Sequence, residues 1–150
     1  MISEYQVADL VPHSGRMSLL TSITGHGEDW LSAQVVITQD SMFADSKGVP
    51  AWVGLEYLAQ AIGAFAGLQE RLNGESPKLG FLLGTRKYIC SADYFLLGDQ
   101  LELKVIRNMQ ADNGLSAFEC HLQANSYTAT ASLNVFQPED AEQFLQGASE

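Results

Sequence analysis

Between Gly48 and Leu68 the chain carries a single formally charged residue, Glu56. No other feature restricts the fold as strongly. A stretch of this length approaches the roughly 20 apolar residues that cross a bilayer. It also holds Pro50, Gln60 and four glycines, and Lys47 and Arg71 flank both ends, so no orientation bias is present. A carboxylate at mid-span is costly in lipid. The segment is therefore read as a core helix rather than a membrane span. Pro50 suits the start of that helix, because its fixed φ and missing N–H fit the first turn. Asn73-Gly74 suits the end. The pattern predicts a helix over 51–72.

On a helical wheel Leu55, Leu58, Ile62, Phe65 and Leu68 spread across most of the circumference, which calls for cover on several sides. The exception is a narrow stripe of Glu56, Gln60, Gly63 and Gly67. Its glycines would let another backbone approach closely. The stripe is accordingly expected on a tight interior face, with Glu56 buried.

The flanking sequence supplies strands to wrap such a helix. Leu31, Ala33, Val35 and Ile37 alternate with Ser32, Gln34 and Val36, and Gly25, Gly27 and Asp29 separate this run from an earlier apolar one, as in a hairpin. Residues 38–50 read as a loop. A long strand candidate covers 79–90. Leu101, Leu103 and Val105 form a further period-two run, Asp112-Asn113-Gly114 is a turn signal, and Phe118, Cys120 and Leu122 follow. Asn125-Ser126 turns the chain into a last run from Tyr127 to Val135. The expected class is α+β: two strands, one long helix, then about four antiparallel strands curled around it. The 150 residues suit one domain over 1–138, with a polar tail over 139–150.

Charge narrows the partners. Eighteen acids against 8 bases give a net charge of −10, which disfavours nucleic acid and anionic lipid surfaces. Cys90 and Cys120 show no zinc-like spacing, and neither a metal nor a cofactor is expected. With no basic and apolar leader at Met1, the expectation is a cytoplasmic protein with reduced thiols.

Three strings, in order, carry a family likeness. They are Leu10-Val11-Pro12-His13 with Met17, Leu19 and Leu20; Pro50-Ala51-Trp52-Val53-Gly54-Leu55-Glu56-Tyr57-Leu58-Ala59-Gln60; and Leu97-Gly98-Asp99-Gln100-Leu101. Together they resemble the hotdog-fold 3-hydroxyacyl-(acyl carrier protein) dehydratases. The strings Ala44-Asp45, Gly80 to Arg86 and Asn134 to Pro138 are similar to a divergent branch of dehydratase-like subunits found with aryl-polyene and related lipid synthesis. The family's loop histidine would fall at position 42, where this chain has Met42, and the family's helix-start glycine is Ala51.

The resemblance implies elimination of water from a 3-hydroxyacyl thioester. That reaction needs a base at C2, an acid for the leaving hydroxyl, and donors for the thioester oxygen. Glu56 matches the family's helix carboxylate. His13 is the candidate base, with a hydrogen-bonded structural histidine as the plainer alternative; His26 lies in a glycine-flanked turn and His121 on a polar strand face. Gln60 could orient Glu56 from one turn along, or be an ordinary satisfied amide. Ala51 and Trp52 could offer helix-start N–H groups to the thioester, and Asp45 and Gly84 complete the substrate-side candidates. Asp45 could equally be a solvated turn residue.

The implied substrate is an acyl thioester on an acyl carrier protein or coenzyme A. Arg16, Lys47, Arg86 and Lys87 are candidate docking charges, and the expected assembly is a homodimer or a heterodimer with another hotdog subunit. Two other functions stay open: a thioesterase using Asp45 or Glu56, and a silent subunit paired with an active dehydratase.

Overall fold

A computed structural model describes residues 19–72, 81–111 and 114–136. His13, Arg16, the helix stop at Asn73-Gly74 and the tail over 139–150 lie outside the described residues.

Among the described residues eight strands and one long helix follow one another. The first hairpin pairs β1 (Ser22–His26) with β2 (Trp30–Val36), closed by Gly27 N–H donating to Trp30 O at 2.9 Å. A three-residue strand, β3 (Gly48–Pro50), leads into a 3₁₀ turn, Ala51–Val53, and then α1 (Gly54–Leu72). The remaining strands are β4 (Phe81–Cys90), β5 (Tyr94–Leu96), β6 (Gln100–Gln110), β7 (Leu115–Gln123) and β8 (Thr128–Phe136).

Six strands form one antiparallel sheet in the order β1-β2-β6-β7-β8-β4, while β3 and β5 form a separate two-stranded ribbon. The predicted helix and long strands are present. The ribbon is a correction, because residues 48–50 read as loop and 94–96 were not read as a strand at all. Three residues are too few to display a period of two.

Strand alternation separates the sheet's faces. Leu31, Val105, Cys120 and Ala131 lie side by side across β2, β6, β7 and β8 and are all buried; the same register row reaches Tyr88 on β4. The next row runs Ala33, Leu103, Leu122, Ala129 and Cys90. Between these rows Glu102, Lys104, Glu119, His121 and Gln123 face outward and are exposed. One side of the sheet is thus hydrated and the other holds the core.

The helix lies on β2 and β6, then β7, and barely reaches β8. Leu58, Ala61, Phe65 and Leu68 are fully covered, and Phe65 meets Phe118 edge-on at 5.7 Å between ring centres. Burying one such large side chain contributes roughly 1.5–3 kcal/mol. The expectation that the Glu56 stripe faces inward is corrected. Glu56 is exposed, Gly63 and Gly67 are half-buried, and of the four only Gln60 is buried. A single curved sheet covers one side of a helix. The residues opposite it stay open unless another body covers them.

A second fixed point is the turn before β6. Tyr127 Oη donates to Asp99 Oδ2 at 2.5 Å and accepts from Leu96 N–H at 3.0 Å. Ile37 N–H donates to Asp99 O, and Gly98 N–H to Ile37 O. Asp99 thus ties β5 to the main sheet. Phe95 then sits fully buried between the rings of Tyr57 and Tyr127. The ribbon permits no side chain at Gly48: its φ is 144°, and a Cβ there would lie 2.0 Å from Phe95 O.

Candidate functional site

The first turn of α1 is built by the ribbon on one side and the loop 38–47 on the other. Asp45 organises that loop. Its Oδ1 accepts from Lys47 N–H at 2.8 Å and Gly48 N–H at 3.2 Å, while its own N–H donates to Gly48 O. The Lys47 N–H is the main reason its carboxyl is held below the ordinary range, with Tyr94 helping. A carboxylate so satisfied is a weaker base. This favours a turn role for Asp45 over activation of water.

Two residues earlier, Phe43 adopts a left-handed φ of 69°, uncommon for a bulky residue. Its ring lies 5.2 Å from that of Trp52, and both are open to solvent, at 52% and 63% exposure. Trp52 is therefore not a core residue. Met42, at the position of the family histidine, is half-buried.

Ala51 is held at both ends. Its N–H donates to Asp93 O at 2.9 Å, and its carbonyl accepts from Tyr88 Oη at 2.6 Å. The first of these bonds occupies the Ala51 N–H that the sequence nominated as a thioester donor. Glu56 follows one turn after Trp52, on the same open flank. Gln60, one turn further, is 6% exposed, and its Oε1 accepts from Leu19 N–H at 2.8 Å. Its amide thereby anchors the segment leading to β1.

The other nominated residues are spread out. Gly84 lies at an irregularity in β4, opposite Asn134. Lys47 reaches over the Tyr94 ring at 5.4 Å, and Lys87 is exposed on β4. His121 faces the hydrated side of the sheet near Glu119, at 3.8 Å. Among the described residues no cluster of ligating side chains could hold a metal, and no helix is long and apolar enough to cross a membrane.

Sequence reasoning did not find Tyr88, Phe43 or the Asp99–Tyr127 pair. Asp99 stood in a recognisable string, but its partner is far away in sequence. Phe43 carries no signal, because nothing local asks a phenylalanine for a left-handed backbone.

A family model described as ApeP dehydratase matches residues 5–146. The chain belongs to the ApeP-like family. With this membership the chain is a dehydratase-like hotdog protein. Among solved structures, a chain of the dehydratase heterocomplex ApeI:P from Xenorhabdus doucetiae is 27% identical with a TM-score of 0.84, and the match covers 95% of this chain and 97% of that one. Cj0977, a sigma28-regulated virulence protein from Campylobacter jejuni, is 17% identical at a TM-score of 0.64, over 93% of this chain and 91% of that one. A hypothetical thioesterase with coenzyme A from Streptococcus pneumoniae is 10% identical at 0.59, over 77% and 86%. The last two are alike in fold alone. No curated protein matches. The expected hotdog class and the dehydratase resemblance are both borne out for this ApeP-like chain.

Proposed function

We propose that this ApeP-like chain is one subunit of a 3-hydroxyacyl-thioester dehydratase whose site is completed when a second hotdog subunit covers the first turn of α1. The observation that carries the reading is the position of Glu56. A family-motif carboxylate sits on the opening turn of the core helix, one turn after Trp52, whose exposed ring meets that of Phe43, and it is exposed on the single chain. A lone acid among apolar and small residues suits a surface that closes on assembly better than one that stays wet. The ApeI:P structure, a heterocomplex, supports pairing with a different hotdog subunit.

In the proposed reaction the C2–H bond and the C3–O bond break, the C2=C3 bond forms, and the hydroxyl leaves as water. Glu56 supplies one of the two proton transfers. The other falls to His13, or to a group that the partner brings to the seam. Closure by the partner would exclude water and strengthen hydrogen bonds to the developing thioester oxygen. Because the Ala51 N–H is engaged by Asp93 and the Val53 N–H by the 3₁₀ turn itself, those bonds fall to the Trp52 N–H.

Met42 at the family histidine's position favours a second reading, a silent subunit that shapes its partner's site. The test co-produces this chain with its hotdog partner and follows a 3-hydroxyacyl thioester for enoyl product and for free thiol. Enoyl product that Glu56→Gln lowers by about 10²–10⁴-fold supports the proposal. A rate unchanged by Glu56→Gln assigns the chemistry to the partner, and thiol release points to a thioesterase.

A further inference from the structure

The inward row of the sheet ends at Tyr88 on the edge strand β4, beyond the part of the sheet that α1 covers. On its neighbour β8 the row contributes only Ala131, and the next row only Ala129. With small residues there, the phenol of Tyr88 can extend from the sheet edge to the helix start. Its Oη donates to Ala51 O at 2.6 Å. It also lies so near Gly54 that a Cβ at that position would be 2.3 Å from the oxygen and 2.8 Å from Phe95 Cζ. The peptide before the helix is thus gripped from the loop by Asp93 and from the sheet edge by Tyr88.

We infer that Tyr88 is a positioning residue for the dehydration site, its hydroxyl locking the Ala51–Gly54 turn so that the helix-start N–H groups and Glu56 hold one orientation. This rests on the function proposed above. Two observations carry it: the short bond to Ala51 O, and a glycine at a helical position where a Cβ would lie 2.3 Å from the phenol oxygen. Burial, with Cys90 adding to it, also pushes the Tyr88 hydroxyl above its ordinary range, so the group remains a donor through neutral pH. A misplacement of about 1 Å at a site can cost up to about 10²-fold in rate. Holding this turn is therefore a matter of catalysis as well as of folding.

The test uses the assembled protein. Tyr88→Phe keeps the ring and removes the hydroxyl. It is expected to lower kcat for enoyl formation about tenfold, leave KM within about twofold, and speed amide hydrogen exchange over 51–55 but not over 119–123. Gly54→Ala is expected to lower kcat as well, by pushing the phenol away. The double variant should be no worse than the poorer single one, because both changes break one contact. An unaltered kcat with unaltered exchange at 51–55, or fully additive losses in the double variant, overturns the inference. A fall in melting temperature with kcat per folded site unchanged assigns Tyr88 a structural role only and also overturns it. Glu56→Gln is measured beside them. If it leaves the rate unchanged the proposed function fails, while the exchange and additivity results still judge the Tyr88 lock.

Discussion

Glu56 and Gln60 stand one turn apart on the same face of α1, yet their surroundings are opposite. Gln60 is buried and its carbonyl accepts from Leu19 N–H, whereas Glu56 is exposed one turn after Trp52. Within the first turn Tyr57 is buried against Phe95, while the flank that carries Glu56 is left open. A polar group in the covered part must be satisfied within the chain, so it becomes structural. A polar group in the uncovered part is free to serve a substrate or a second subunit.

Substitutions in the two regions should therefore separate activity from stability. The largest effect is expected at Glu56→Gln, with dehydration by the assembly lost by about 10²–10⁴-fold and thermal stability of the chain changed by no more than about 0.5 kcal/mol. In the covered region Phe65→Ala should cost about 3–5 kcal/mol in urea unfolding, because it opens a cavity against Phe118. Gln60→Ala leaves Leu19 N–H without its acceptor and should cost about 1–3 kcal/mol, read from the same unfolding curves. Should Gln60→Ala instead abolish activity in a fully folded assembly, the contrast between the two positions is wrong. The smallest effect is expected at Trp52→Ala, within about 0.5 kcal/mol for the isolated chain, since most of that ring already meets water.

The covered region also sets an alkaline limit. Burial pushes the Cys120 thiol and the Tyr57 hydroxyl up to about 12 each, above their ordinary values of 9.0 and 10.0. The unfolded chain releases these protons first. The stability they contribute is therefore complete below about pH 9 and is lost as pH rises toward 12. Urea midpoints measured from pH 8 upward should fall above that point, and Cys120→Ala should make the fall shallower.

Much of the fold could be read in the sequence, and for identifiable reasons. Leu31, Ala33 and Val35 declare a half-buried strand, as Leu101, Leu103 and Val105 do, and the uncharged run with Pro50 at its head declares the helix. What could not be read was which side of that helix lacks cover. Periodicity reports that a face is apolar but not whether the apolar cover comes from the same chain. Leu55, Ala59 and Ala66 share the open flank and look in sequence like core. The site was legible only as a motif. Asp45 and Ala51 lie before the helix, and their polar groups are engaged by Lys47, Gly48 and Asp93, contacts set by the β3–β5 ribbon. Tyr88 was missed because its partners, Ala51 and Gly54, are brought to it only by the curl of the sheet.

In the proposed assembly a second hotdog subunit closes over the open flank at the first turn of α1. Amide hydrogen exchange, compared between the chain alone and the chain in its assembly, tests this directly. Exchange should slow markedly over 51–57 in the assembly and stay the same over 119–123 on the hydrated face. Exchange over 51–57 that is the same in both states would contradict it.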